Sequence, residues 1–384
     1  MFDELFDLVQ NLYPDKSTIP LHEPLLEGNE KKYLNECIDS GFVSSVGEFV
    51  NRFEKEVAQF TGSNHAIAVV NGTQALHLAL YTLGIGPGKA VLAPSLTFVA
   101  TINSIYHNGA SPIFLDIEEE TLGICPDKAR TFIENKCFFD GNELKHIDSG
   151  LPIAAIMPTH VFGHASRIKE LSKLAEDYSL HLIEDAAEAI GSRSNLKHLG
   201  TFGTLGILSF NGNKTLTTGG GGVVLTDHNS IAQQLKHLST TARITSGYEL
   251  EHDVPGFNYR MPNLNAAMGI AQLENLPNFL SKKRSLASHY HKIEIPNSKW
   301  LKEQNSYHSN YWLNAIQLDS SKLRNDLLTN ALRKGILCRP IWKPIHTMAA
   351  YSKFPKDDLS VTEKLSNRIV CLPSGLKGLK LKNQ

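Results

Sequence analysis

Cysteine is scarce in this chain. Its 384 residues include five cysteines, and no two of them form a CxxC pair. They are Cys37, Cys125, Cys137, Cys338 and Cys371. An odd and scattered set is not the pattern of a disulfide framework or of a zinc site. We therefore expect reduced thiols and a cytoplasmic protein.

Long apolar runs and an excess of charge of either sign are also missing. No apolar run reaches about 18 residues, the length that a transmembrane helix needs. The segment Met1 to Asp15 carries four acids and no uninterrupted apolar core, which is not the pattern of a signal peptide. The formal net charge is -1, so charge favours neither a nucleic acid nor an acidic membrane as a partner. We expect neither partner.

The chain does have length and an ordinary balance of residues. Hydrophobic residues make up 41% and charged residues 20%, which is typical of a globular protein large enough for two lobes. The sequence pattern changes near residue 253. We predict a large domain over residues 1–253, including the N-terminal segment, and a small C-terminal domain over residues 254–384. We expect the basic tail, residues 377–384, to fray.

Short apolar runs of strand length alternate with helical stretches. The strand-like runs are residues 66–70, 90–93, 112–117, 153–158, 181–185, 206–210 and 221–226. Helical spacing occurs at residues 73–83, 166–178 and 263–276. This order predicts an α/β fold, with a mostly parallel sheet covered by helices on both faces and a smaller α+β domain after it.

The most informative single residue is Lys214. It lies in the segment SFNGNKTLTT, residues 209–218, directly before four glycines at residues 219–222. Such a loop is an awkward place for a structural lysine and a good place for one held beside a cofactor to form an imine. The glycines either let the backbone approach a ring or substrate closely, or form a simple turn. They lack the GxGxxG spacing of a dinucleotide site.

A second segment, Asn71-Gly72-Thr73-Gln74, lies where a strand ends and a helix begins. The free N–H groups at a helix start favour an anion such as a phosphate group. The alternative is a plain helix cap by Thr73.

A third segment, Glu184-Asp185, closes a strand. Ligands bind at the carboxyl ends of strands in open α/β sheets, and a carboxylate there can keep a pyridine nitrogen protonated. Glu188 can reach the phenolic oxygen of the same cofactor, and Ser209 can donate to its phosphate. The alternatives are solvated acids and a serine at a strand end. Together with Lys214, these segments indicate pyridoxal 5'-phosphate (PLP).

Sixteen histidines raise the question of a metal. His160 and His164 are spaced i, i+4, but Gly163 and the preceding strand argue against one helix that presents both. No HExxH motif is present. We expect no catalytic metal.

At these segments the chain resembles the nucleotide-sugar aminotransferases of the DegT/DnrJ/StrS type, which are PLP enzymes of fold type I. The resemblance covers residues 19–375. Its landmarks occur in the family's order: NGTQAL at 71–76, PSLTFVAT at 94–101, EDAAE at 184–188, the loop 209–222, GFNYRM at 256–261 and AAMG at 266–269. The large domain is then the PLP-binding one.

The resemblance assigns catalytic roles to two residues. It implies that Lys214 forms the Schiff base with PLP and that Asp185 pairs with the pyridine nitrogen. It also implies that Glu188 bonds the ring oxygen and that Phe98 stacks on the ring.

The remaining implied contacts hold the cofactor phosphate. Gly72, Thr73 and Ser209 bind it from the same chain. Asn258 reaches the phosphate of the neighbouring subunit's cofactor, so the resemblance implies a homodimer with shared active sites.

Two departures and one finer likeness concern the substrate. The family more often has Gln in place of Glu188 and often has Glu in place of Gly220. The stretches at residues 21–24, 28–30 and 41–47 look most like the LegC-like branch of the legionaminic acid pathway. That branch aminates a UDP-linked 4-keto-6-deoxy-N-acetylhexosamine.

The resemblance therefore implies an aminotransferase that moves an amino group from glutamate to a nucleotide-linked keto-sugar, in the biosynthesis of a surface polysaccharide or a nonulosonic acid. Lys214 would carry the proton between cofactor and substrate carbons. Three alternatives stay open: a sugar 3-aminotransferase, a PLP-dependent sugar dehydratase and a non-catalytic PLP-binding regulator. Dehydratases of this kind replace the lysine with histidine, which Lys214 argues against.

Overall fold

The computed structural model describes residues 1–246 and 248–381. Its helices are α1 (Asp3–Leu12), α2 (Glu30–Ser40), α3 (Glu48–Thr61), α4 (Gly72–Thr82), α5 (Val99–His107), α6 (Pro126–Lys136), α7 (Ile168–Asp177), α8 (Asn229–Ser239), α9 (Asn263–His291), α10 (Ser321–Arg333) and α11 (Ser360–Ser366). Short 3-10 helices span Val161–Gly163 and Ile345–Thr347.

The strands fall into one large sheet and several small ones. They are β1 (His65–Val69), β2 (Ala90–Pro94), β3 (Ser111–Leu115), β4 (Cys137–Asp140), β5 (Glu143–His146), β6 (Ile153–Ile156), β7 (His181–Asp185), β8 (Arg193–Ser194), β9 (Lys197–His198), β10 (Leu205–Ser209), β11 (Gly222–Thr226), β12 (Arg243–Ser246), β13 (Glu249–His252), β14 (Ser298–Trp300), β15 (Tyr307–His308), β16 (Asn314–Leu318), β17 (Arg339–Pro340) and β18 (Ile369–Leu372).

The large sheet has seven strands in the order β1-β11-β10-β7-β6-β2-β3. Strand β2 runs parallel to β3 and β6, β6 to β7, and β7 to β10. Only β11 runs antiparallel to its two neighbours. The sheet is therefore mostly parallel, and the predicted fold class is confirmed.

Each face of this sheet has its own apolar core. Along β1, Ala66 and Ala68 belong to one cluster and Ile67 and Val69 to the other, as the two-residue alternation of a strand requires. Helices α4, α5 and α8 complete the second cluster, and α3, α6, α7 and the first half of α9 complete the first. Because both faces are covered, the strands read as continuous apolar runs in the sequence.

A smaller antiparallel sheet, in the order β14-β16-β18-β17, forms the second lobe. Its core also contains Phe2, Leu5 and Phe6 from the start of the chain, together with Leu286 and Tyr290 from the end of α9. The first residues of the chain therefore pack with the last third of it.

Helix α9 is longer than predicted. The prediction ended it at residue 276, before Pro277, but the helix continues through this proline to His291. Pro277 lacks the N–H group that a helix interior uses, and burial of Leu286, Ala287 and Tyr290 on the second half offsets that loss. Since α9 contributes to the cores of both lobes, the domain boundary at residue 253 stays a prediction.

The predicted fraying of the tail is wrong for residues 377–381. The Lys380 amide donates to the Leu12 carbonyl at 2.8 Å, and Leu379 and Leu381 pack against the core of the small lobe. The remainder of the predicted tail lies outside the described residues. Within the described ranges, no helix is long and apolar enough to cross a membrane.

Candidate active site

The carboxyl ends of β1, β2, β7 and β10 meet at one edge of the large sheet, and a cavity of about 560 Å³ opens there. Seven predicted site residues line it: Gly72, Thr73, Phe98, Asp185, Glu188, Ser209 and Lys214. The parallel strand order brings these distant segments together, because successive parallel strands end at the same edge.

The first turn of α4 forms a cradle for an anion. The Asn71 side chain caps the helix by accepting from the Gln74 amide at 2.8 Å. The amides of Gly72 and Thr73, the first two of the helix, have no acceptor within it. Ser209 lies close by: a Cβ atom added to Gly72 would come within 2.8 Å of its Cβ. Only glycine at position 72 leaves this approach open.

Asp185 is a buried carboxylate without a cation. Its Oδ2 accepts from the Thr101 hydroxyl at 2.6 Å, and its Oδ1 accepts from the Ala187 amide at 3.2 Å. Thr97 links Thr101 to Thr159 through two further hydroxyl contacts, at 2.8 and 2.9 Å. No ion-pair partner of Asp185 occurs in the described part of the chain. A protonated ring nitrogen would supply that missing charge.

Lys214 contacts a carboxylate and an aromatic ring. Its Nζ lies 3.1 Å from Oε1 of Glu188 and 4.0 Å from the centre of the Trp312 ring. The other oxygen of Glu188 accepts from the Phe162 amide at 2.8 Å. Burial raises the pKa of the Glu188 carboxyl above its ordinary value, against the opposing effect of the Lys214 charge.

Phe98 and Asn258 differ in where the single chain places them. Phe98 is 52% exposed and lines the cavity, as expected of a ring that covers a bound planar group. Asn258 is exposed, does not line the cavity, and accepts from Arg260 Nε at 2.9 Å. Its predicted role on the partner's cofactor stays a prediction.

The structure also shows residues that the sequence reasoning missed. Trp312 lies under the Lys214 amine, and its indole N–H donates to the Asn213 carbonyl at 2.7 Å. His22 lines the same cavity from the N-terminal segment. Thr101 holds Asp185. Thr101 had a signal because it lies within the family segment at residues 94–101, and His22 had a weaker one because it lies within the stretch at residues 21–24. Trp312 had none.

His160 and His164, the two histidines considered for a metal, do not line the cavity. His160 Nε2 lies 3.0 Å from Glu184 Oε2, and the Ser166 amide donates to its Nδ1. The same Glu184 accepts three backbone amides of the loop at residues 200–203. These contacts support the strand end that carries Asp185. In the ranges described, no group of His, Cys, Asp and Glu could hold a metal ion.

The residues of this cavity fit PLP. The lysine amine matches its aldehyde, and the buried carboxylate, which has no cationic partner among the described residues, matches its pyridine nitrogen. The anion cradle matches its phosphate, and the exposed aromatic ring matches its ring face. The fold and this site define a PLP-dependent transferase of fold type I. The chain belongs to the DegT/DnrJ/EryC1/StrS aminotransferase family, whose model matches residues 24–381. The predictions of the family, of an aminotransferase and of PLP as its cofactor are confirmed.

Known relatives align with nearly the whole chain. The GDP-perosamine synthase of Vibrio cholerae is 39% identical over 361 residues, which cover 93% of this chain and 94% of that protein. The GDP-perosamine synthase of Caulobacter vibrioides is 34% identical, with 91% of each chain covered. A DegT DnrJ EryC1 StrS aminotransferase from Brucella abortus superposes with a TM-score of 0.83 at 28% identity, over 90% of both chains.

Proposed function

We propose that this aminotransferase moves the amino group of glutamate to C4 of a nucleotide-linked 4-keto-6-deoxy sugar. The observation that carries the proposal is the Lys214–Glu188 contact of 3.1 Å in the same cavity as the anion cradle and Asp185. The relatives named GDP-perosamine synthases, 39% and 34% identical, make a GDP-linked sugar the first candidate.

Each cavity residue then has a stated task. PLP, when bound, supplies a carbonyl that reacts with amines and a ring that accepts electrons. The Gly72 and Thr73 amides and the Ser209 hydroxyl hold its phosphate, and Phe98 covers its ring. Asp185 keeps the pyridine nitrogen protonated, and the Thr101 hydroxyl holds the Asp185 carboxylate in place.

Lys214 and Glu188 act at the end of the cavity where the amino group is transferred. Lys214 would be the covalent anchor of PLP, and its Nζ would carry the proton at the substrate carbon. Glu188 bonds the ring oxygen and limits where the Lys214 amine can lie, since its Oε1 is already 3.1 Å from Nζ. Trp312 bounds the amine on another side.

A UDP-linked 4-keto-6-deoxy-N-acetylhexosamine is the second candidate acceptor. The N-terminal stretches at residues 21–24, 28–30 and 41–47 favour it, because they look like the legionaminic acid branch of the family. Either acceptor would serve the synthesis of a surface polysaccharide or a nonulosonic acid in the cytoplasm.

The active unit in this proposal is a homodimer with shared sites. Asn258 is exposed in the single chain, although the family segment GFNYRM contains it. Two large apolar side chains are also exposed: Phe98 at the cavity, at 52%, and Tyr81 beside Phe257, at 39%. A partner chain that covers them would bring its Asn258 to the cofactor phosphate.

Absorbance of the bound cofactor tests the proposal. The PLP-loaded enzyme should change its spectrum on addition of glutamate, and it should then return to the PLP form with one member of a panel of GDP-, UDP- and dTDP-linked keto-sugars. NMR of the product should show the new amine at C4. An amine at C3 would establish the sugar 3-aminotransferase instead.

Lys214→Ala is the control for this experiment. It should lose the Schiff-base absorbance and turnover while it stays folded, and Lys214→Arg should not restore them, because a guanidinium does not form this imine. Full activity of the alanine variant would contradict the proposal. A wild-type spectrum that glutamate leaves unchanged would support the non-catalytic regulator.

A further inference from the structure

His22 lines the active-site cavity but has no part in the chemistry described above. Two residues that come just before it, Ile19 and Leu21, tie its segment to the small lobe. Ile19 pairs with Ile336, and the Ser374 amide donates to the Leu21 carbonyl at 2.7 Å. The position of His22 is therefore set by contacts with the small lobe, while the anion cradle belongs to the large one.

Both ring nitrogens of His22 are buried and lack a hydrogen-bond partner among the described residues. A neutral imidazole offers one donor and one acceptor, and leaving both unpaired inside a protein costs free energy. His164 is also unpaired, but it packs edge-on against Tyr311, with ring centres 5.2 Å apart, and does not line the cavity. Only His22 of the two can meet a bound molecule there.

The surroundings of His22 favour its neutral form. Burial lowers its pKa well below the ordinary value, and the charges of Lys283 and Lys214 lower it further. A neutral imidazole is a poor partner for the carboxylates of glutamate. Arg339 lines the same cavity and offers a guanidinium for such anionic groups.

The wall around His22 is aromatic. Trp312, Phe162 and Trp342 line the cavity with it. The ring centre of Phe162 lies 5.2 Å from that of Trp342 and 6.3 Å from that of Trp312, and the His22 ring lies 6.5 Å from Trp312. An apolar wall with one donor-and-acceptor group suits a ligand that has a carbon ring and hydroxyl or carbonyl oxygens.

We propose that His22 is a specificity-determining residue for the acceptor, which hydrogen-bonds through its neutral ring to a hydroxyl or carbonyl oxygen of the sugar. This inference rests on the proposed function, because it assigns part of the same cavity to the sugar. Glutamate, which precedes the sugar in the reaction, makes no use of His22.

The test compares two amino donors on one enzyme form. Glutamate converts the PLP-loaded enzyme to its aminated form, and the amino-sugar product does the same in the reverse reaction. Both conversions change the same absorbance of the cofactor. The candidate probes are GDP-perosamine and a UDP-linked 4-amino-4,6-dideoxy-N-acetylhexosamine. The experiment uses the one that the wild-type enzyme accepts. Stopped-flow traces give the rate and the apparent Kd for each donor.

For His22→Phe we expect the ratio of rate to Kd to fall about tenfold or more with the amino-sugar, the loss expected for one or two hydrogen bonds. The same ratio with glutamate should stay within about twofold of wild type. His22→Asn keeps a donor and an acceptor and should retain part of the reactivity that phenylalanine loses. His164→Phe, the matched control, should leave the preference between the two donors unchanged.

The outcomes separate this inference from the proposed function. An equal loss with both donors, or no loss with the amino-sugar, would overturn the role of His22 while the enzyme remained a sugar aminotransferase. A wild type that reacts with glutamate but with neither amino-sugar, and with no keto-sugar of the GDP-, UDP- and dTDP-linked panel, would overturn the proposed function and the role of His22 with it.

Discussion

Glu188 combines a buried position with a lysine neighbour. Its pKa is raised, since burial penalises the carboxylate more than Lys214 and the Phe162 amide stabilise it. A protonated carboxyl can donate a hydrogen bond. The family more often has glutamine at this position, and its amide donates in the same way. While it holds its proton, the Glu188 carboxyl therefore carries the same charge as that glutamine.

Glu188→Gln should keep activity within a few-fold of wild type near neutral pH. As the pH rises through the raised pKa of Glu188, the wild-type carboxyl loses its proton and its donor, whereas the amide keeps its donor. The ratio of wild-type to variant kcat/KM should therefore fall with rising pH. Profiles of kcat/KM from about pH 5 upward, starting close to the ordinary carboxyl pKa, check this prediction, and parallel profiles would contradict it.

At the scale of elements, the start of α4 is the part of the site most sensitive to size. A Cβ atom at position 72 would meet the Ser209 Cβ at 2.8 Å and its Oγ at 3.0 Å. Ser209 is the last residue of β10 and pairs with Gly222 of β11, so its Cβ atom cannot move away without moving the end of the strand.

Gly72→Ala should weaken PLP binding by about tenfold or more, since the side chain would enter the space of the phosphate. Equilibrium titration of the unloaded protein with PLP measures this change. Gly212→Ala is the matched control: its Cβ atom would meet nothing closer than the Gly219 oxygen, at 3.9 Å. Equal affinities of the two variants would show that Gly72 does not border the phosphate.

Helix α9 carries a buried lysine that binds two segments of the small lobe. Lys283 Nζ donates to the Trp312 carbonyl at 3.0 Å and to the Ser374 carbonyl at 2.8 Å. Burial lowers its pKa to about 7. Through Trp312, this amine is coupled to the wall beside Lys214.

Lys283 should make the free energy of unfolding rise with pH above about pH 7. The unfolded chain, with an ordinary lysine pKa, binds a proton that the folded chain has released, so each pH unit adds up to about 1.4 kcal/mol until the unfolded pKa is reached. Lys283→Met should remove this contribution to the slope, and Lys282→Met, one residue earlier in the chain, should preserve it. Urea unfolding at about pH 7, 8 and 9 measures all three slopes.

At the scale of the whole molecule, the single chain builds most of a site but leaves Asn258 outside it. If the cofactor phosphate is held by two chains, the dimer and the active site form together, as with any ligand that binds only the assembled state. This arrangement can be tested without a structure of the dimer.

Lys214→Ala and Asn258→Asp should each be inactive and should complement each other after subunit exchange. The aspartate is chosen because its charge repels phosphate. Random pairing in a two-site symmetric dimer should restore up to about a quarter of the wild-type sites. A monomer by sedimentation, or no recovery after verified exchange, would show that the site lies within one chain.

The sequence by itself determined the fold class and the large-lobe part of the site. Thr73 comes shortly after β1, and Asp185 and Ser209 are the last residues of β7 and β10. Parallel strands end at one edge of the sheet whatever the loops between them. Local patterns of glycine, threonine and carboxylate at strand ends are therefore enough to place those residues in one cavity. The family resemblance added Phe98 and Asn258.

Only the tertiary structure decided what surrounds Lys214 and how far α9 extends. Trp312 and His22 reach the cavity from segments about a hundred and two hundred residues away from Lys214 along the chain. No local pattern marks Trp312, and the family likeness at residues 21–24 gave His22 no place in the site. Pro277 predicts a helix end that packing in the small lobe overrides. The raised pKa of Glu188 and the lowered pKa of Lys283 arise from burial, which depends on contacts between segments far apart in the chain.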